Sequence, residues 1–132
     1  MLVKVERFES LEAAQSYALR AVDEAAEQTR GRYLSSGSGQ AMEYEEAHRQ
    51  AVAFQSDPSV AYPMLEADVE AGLAPTVAEA AALVMQRRGE WEVLGKLIRS
   101  TRLKAKREIR EVTTQREVAQ IREQARDFLA TL

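Results

Sequence analysis

The sequence predicts an all-α fold, a helical bundle of about five helices, and three observations predict it. Apolar residues recur at three- and four-residue steps along most of the chain, the period of a helix with one buried face. Alanine is abundant and aromatic residues make up only 6%, which suits helices packed closely together better than a β-sandwich. Helix start signals also punctuate the chain, at Ser10, at Thr76 with Glu79, and at Thr114 with Glu117.

The first helix is expected from Ser10, its N-cap, to about Arg30, with Leu11, Ala14, Ala18, Ala21 and Ala25 on its apolar face. The serine- and glycine-rich stretch 34–39 follows. Gly37, Gly39 and Gln40 are expected to form a loop or hinge, the glycines taking positive φ in a tight turn. A second helix is predicted from about Gln40 to Gln55, with Tyr44, Ala47, Ala51 and Phe54 in register. The stretch "SDPS" ends it, and Pro63 opens a short third helix that stops at Gly72. Thr76 and Glu79 begin a long helix reaching about Val112. Thr114 and Glu117 begin a last one with Val118, Ile121, Ala125, Phe128 and Leu132 as its seam.

A single domain over 1–132 is expected. It has an extended arm at 1–9, three shorter helices over 10–73, the long helix at 76–112 and a terminal helix at 114–132. In the arm, Val3 and Val5 alternate with Lys4 and Glu6, the pattern of a short strand able to pair with a partner.

The long helix carries the most information about assembly. Val77, Val84, Trp91, Ile98, Ala105 and Val112 recur every seven residues, and Leu94 joins their face. A seven-residue apolar repeat marks helices that wrap around one another. A helix of about 35 residues spans ~50 Å, more than a domain of this size needs. Part of its stripe is therefore expected to meet another chain, or the helix to kink at Gly89 or Gly95. The expected oligomer or partner interface comprises Val84, Trp91, Leu94, Ile98, Ala105 and Ile109.

Charge is unevenly distributed. Residues 1–85 hold 6 basic and 14 acidic side chains, residues 86–110 hold 9 and 3, and residues 111–132 hold 3 and 4. The basic patch, Arg99, Arg102, Lys106 and Arg110 at its centre, has the density of a phosphate-binding helix. Its residues spread around the helix, and only Trp91, on the apolar seam, supplies an aromatic among them. Ion pairing with the acidic half is preferred to nucleic acid.

Several classes of chemistry find no support. The absence of cysteine excludes disulfides, thiolate metal sites and a catalytic thiol. His48, the only histidine, follows "EYEEA" on a polar face, with no orienting partner in view. The acidic groups Glu43, Glu45 and Glu46, and Glu66, Asp68 and Glu70, lack the Glu-x-x-His step of bundle metal sites. "GEWEVLGKL" fails as a phosphate loop, because Leu97 stands where Ser or Thr must be. No catalytic, cofactor-binding or metal-ligating residue is assigned, and no cofactor is expected. The N-terminus is too short and too charged for a signal peptide, and no apolar run approaches a membrane span, so no membrane partner is expected.

The stretches "RYLSSGSGQAMEYEEA", "DPSVAYPMLEAD" and the run from Trp91 resemble a family of small helical proteins encoded among the tail and tail-fibre genes of tailed bacteriophages and prophages. The matching positions are Arg32 and Tyr33, Gly37, Gly39 and Gln40, Tyr44, Tyr62 and Pro63, and Trp91 and Gly95, within residues 30–114. Two departures stand out. Serines replace a Thr-Pro before the first glycine, and the acidic "EEA" replaces a lysine after the tyrosine. The resemblance implies no catalytic residue. It implies a non-enzymatic tail structural or adaptor protein near the fibre or baseplate, in the virion, self-associating and bound to other tail proteins. The alternatives are a tail-fibre assembly chaperone in the host cytoplasm, and a small nucleic-acid-binding regulator using residues 87–110.

Overall fold

A computed structural model describes residues 7–34 and 38–132. The expected strand residues Val3 and Val5, and Gly37 of the expected hinge, lie outside the described residues. The fold is all-α. It comprises α1 (Leu11–Gly31), α2 (Ser38–Ser56), α3 (Pro63–Glu70), α4 (Val77–Glu111) and α5 (Gln115–Thr131), with no strand among the described residues.

The caps read from sequence start these helices. The Ser10 hydroxyl accepts from the Ala13 amide at 3.0 Å, Thr76 from Glu79 at 3.2 Å, and Thr114 from Glu117 at 3.2 Å. In the last box the Glu117 carboxylate returns to the Thr114 hydroxyl, at 2.8 Å, where a backbone amide was expected. Pro63 stands at the first turn of α3, where its missing N–H costs nothing. Gly72, at φ +80°, ends the same helix in the left-handed conformation that side chains resist.

The chain divides into two compact units. One is formed by residues up to Tyr33 with Leu94–Leu132, the other by Leu34–Val93. The 35-residue α4 contributes to both and runs unbroken through Gly89 and Gly95. A Cβ at Gly89 would meet nothing within 4 Å among the described residues.

In the first unit α1, the C-terminal half of α4 and α5 enclose two buried clusters. Ala14, Ala18, Val22, Ala105, Ile109, Val118 and Ala125 form one, and Ala26, Ile98 and Leu129 the other. The small side chains of α1 let its neighbours approach closely. Two sequence expectations shift here. The buried face of α1 continues through Val22, Ala26 and Thr29, and Ala21 and Ala25 are half-buried. In α5, Leu129 is fully buried while Phe128 is 40% exposed, so the seam turns by one position.

Helix ends in this unit are satisfied by side chains from distant segments. Gln15 donates to the Ile109 carbonyl at 3.0 Å, near the end of α4. Thr29 and Arg32 both donate to the Leu129 carbonyl, at 2.8 and 3.1 Å, and the Tyr33 hydroxyl donates to that of Leu132. These carbonyls belong to the last turns, where helical i-to-i+4 partners run out; among the described residues the Leu129 carbonyl otherwise takes only the Leu132 amide, at 3.2 Å. Before α1, the Gln115 side chain accepts from the Phe8 amide at 3.0 Å and donates to its carbonyl at 3.1 Å, as a neighbouring strand would.

In the second unit α2, α3 and the start of α4 bury Ala51, Tyr62, Leu65, Ala74, Ala80 and Ala81. Phe54 meets Tyr62 edge-on at 5.9 Å, and the Tyr62 hydroxyl donates to the Asp57 carbonyl at 2.5 Å. Gln50, 6% exposed, accepts from the Met64 amide at 2.9 Å and so ties α2 to the first turn of α3.

Candidate interaction site

The expected interface residues of α4 are distributed as follows. Ile98 and Ile109 are fully buried and Ala105 is 6% exposed, all within the chain's own clusters. Leu94 packs against the cluster of Ala26, Ile98 and Leu129, and Val84 against that of the second unit. Trp91 is half-buried and stands outside these clusters. The sequence expectation gives part of the heptad stripe, these six residues, to another chain, with a kink at Gly89 or Gly95 as the alternative. Burial corrects this for Ile98, Ala105 and Ile109, which already meet α1 and α5 and offer no surface to a partner. A seven-residue repeat reports a helix that packs on helices and does not say whose they are.

An unburied apolar surface lies elsewhere, on α2. Gln40 to Glu45 are all exposed, as is Gly39, with Met42 at 72%, Tyr44 at 55% and, two turns later, Val52 at 44%. An open groove of about 960 Å³ runs along this helix, with Met42, Glu43, His48, Arg49, Val52 and Met64 of α3 among its lining residues. One wall is held by a chain of bonds. Arg49 pairs with Glu46, its Nε at 2.9 Å, Glu46 accepts from the Gln50 amide at 3.0 Å, and Gln50 holds Met64. Hydrogen bonds from Arg49 and Gln50 hold the Glu46 carboxyl down at about 2, so it stays ionised. His48 in the same groove has no hydrogen-bond partner among the described residues to orient its ring.

The hinge expectation is met differently. The helix begins at Ser38, so Gly39 and Gln40 lie in its first turn. Gly39 does not take positive φ, since among the described glycines only Gly72 does. Of the residues that carried the resemblance, Arg32 and Tyr33 complete the end of α5 and Tyr62 and Pro63 start α3, while Tyr44 is surface. The i-to-i+100 partnership of Arg32 and Tyr33 with α5 leaves no mark on local sequence.

The basic patch divides into two groups. Arg102 and Lys106 turn to Asp23 of α1, at 3.2 and 2.8 Å. Burial raises the Asp23 carboxyl, but the bonds from Lys106 and Arg102 outweigh it and hold it below its ordinary value. Arg99 and Arg110 remain exposed. Arg88 reaches Glu45 at 2.5 Å and Glu92 at 3.2 Å. Sequence reasoning missed Asp23, which sits in α1 without a local signal, and Arg122. The latter is 1% exposed, bonded to Glu123 at 3.1 Å and placed 5.2 Å above the Tyr17 ring.

Among the described residues no group of three or more His, Cys, Asp or Glu could hold a metal ion, and no helix is long and apolar enough to cross a membrane. No family model, curated protein or solved structure matches the chain.

Proposed function

We propose that this chain is a non-enzymatic assembly protein that docks a partner protein on the open face of α2. One observation carries the reading. A helix of 19 residues leaves residues 39–45 exposed and presents Met42 and Val52 along an open groove. Scattered apolar residues are ordinary on a surface, but large ones gathered along one groove mark a contact. Helix-in-groove or helix-on-helix docking fits this shape. The resemblance supplies the setting: a bacteriophage tail, near the fibre or baseplate, with other tail proteins as partners and the virion as location.

Mass spectrometry of purified particles of the phage that encodes the chain tests this setting. Presence in fixed stoichiometry supports a structural or adaptor part. Absence from the particle, with accumulation in the infected cell, refutes it in favour of the fibre-assembly chaperone acting in the host cytoplasm. In either role, Met42→Asp with Val52→Asp is expected to abolish partner capture while leaving the circular dichroism spectrum unchanged. A nucleic-acid regulator is a second reading, favoured by the exposed cations of α4. It requires duplex binding that weakens steeply with salt.

A further inference from the structure

Once Arg102 and Lys106 are taken by Asp23, and Lys104 by Glu108 at 4.0 Å, four cations remain on the C-terminal half of α4: Lys96, Arg99, Arg107 and Arg110. All four are exposed, and none has an ion-pair partner among the described residues. At about 100° per residue they fall within roughly 80° of arc and extend over ~21 Å of the helix. Leu103, 42% exposed, sits at the centre of this face. The buried residues Ile98, Ala105 and Ile109 point to the opposite side. Between residues 96 and 110 the only acidic side chain is Glu108, off the stripe. The nine basic residues spread around the helix, with exposed Arg87 on the opposite side, but the four unpaired ones of the C-terminal half share one face.

The same chain carries the complement. The unit of Leu34–Val93 holds 3 basic and 10 acidic residues, −7, while the other holds 15 and 11, +4. On α3, Glu66 and Glu70 lie one turn apart on the exposed side, away from buried Leu65, and neither has an ion-pair partner among the described residues. The one-turn spacing of the basic pairs, Lys96 with Arg99 and Arg107 with Arg110, suits such a carboxylate pair.

We infer that the outer face of α4 docks a second copy of this chain, its basic stripe meeting the acidic face of α3 on the neighbour. The two faces differ, so the contact propagates head-to-tail into rings or open chains, or closes a two-fold dimer where it is made twice, reciprocally. It uses neither the α2 groove nor a phage setting, so it stands or falls apart from the proposed function. Exposed ion pairs are screened by salt, with a Debye length of about 10 Å at 0.1 M and about 3 Å at 1 M. Association therefore belongs to low ionic strength.

Sedimentation velocity of the full chain at low salt and at 1 M salt tests it, with two double variants. Arg99→Glu with Arg107→Glu cancels the net charge of the stripe, leaving two cations beside two carboxylates, and Glu66→Lys with Glu70→Lys makes the α3 face basic. The wild type is expected to associate at low salt and dissociate at 1 M. Each variant alone is expected to associate more than about tenfold more weakly, because the attraction is cancelled in the first and like charges face each other in the second. An equimolar mixture restores association, since the unaltered basic stripe of the α3 variant meets the unaltered acidic α3 face of the stripe variant. All four substitutions are on exposed helix surface, and circular dichroism checks that the helices persist. A wild type that stays monomeric at low salt, variants that still assemble alone, or a mixture that stays monomeric would each overturn the inference. So would a monomer that instead binds a duplex DNA probe through Arg99 and Arg107, which assigns the face to phosphate.

Discussion

Ile98 and Leu97 are adjacent on α4 and separate the two views of its heptad stripe. Ile98 is fully buried with Ala26 and Leu129, whereas Leu97 is 38% exposed. Ile98→Ala removes about three methylene equivalents, ~2.4 kcal/mol at ~0.8 kcal/mol each. A cavity term adds to this, limited because Leu94 and Leu132 at the cluster's edge are free to relax. The expected loss is about 3 kcal/mol, against less than about 0.5 kcal/mol for a surface change at Leu97→Ala. Urea denaturation followed by circular dichroism in 1 M salt reads both. With a slope of about 1–3 kcal/mol per molar urea, the Ile98→Ala midpoint falls by roughly 1–3 M. Both midpoints are expected to be independent of protein concentration, because the seam is filled from within the chain. Equal losses at the two positions, or an Ile98→Ala midpoint that rises with concentration, would refute the intramolecular seam.

Two further predictions concern α1 and α3. Asp23→Asn is expected to cost about 1–2 kcal/mol at pH 7, discounted because the Asp23 side chain is 43% exposed. Its carboxyl is held low in the folded state, so this contribution is fully present above the unfolded value. It is lost as pH falls through the folded one, and wild type and variant should converge below about pH 4. A difference that persists at pH 2 would remove the ion pair as its cause. Gly72→Ala is expected to destabilise by about 1 kcal/mol, since φ +80° strains any Cβ even though nothing crowds it. A thermal midpoint unchanged from wild type would show that the α3 end tolerates another conformation.

The local sequence determined where helices start and stop. Ser10, Thr76 and Thr114 act through bonds spanning three residues, and Pro63 and Gly72 through their own backbone angles, which no distant packing has to supply. It also determined the helical class, because a 3.6-residue apolar period has few other outlets in a chain of this composition. Only tertiary structure decided whose surface each apolar stripe meets. Ile98 and Ile109 read in sequence as an oligomer or partner seam, and the packing of α1 and α5 fills that seam from within the chain. It also decided the charges: Asp23 draws Arg102 and Lys106 out of the basic run and leaves Lys96, Arg99, Arg107 and Arg110 as a face. The physical reason is common to both. Periodicity fixes the direction in which a side chain leaves its own helix, while the partner it finds there comes from residues about 80 to 100 positions away, beyond any local pattern.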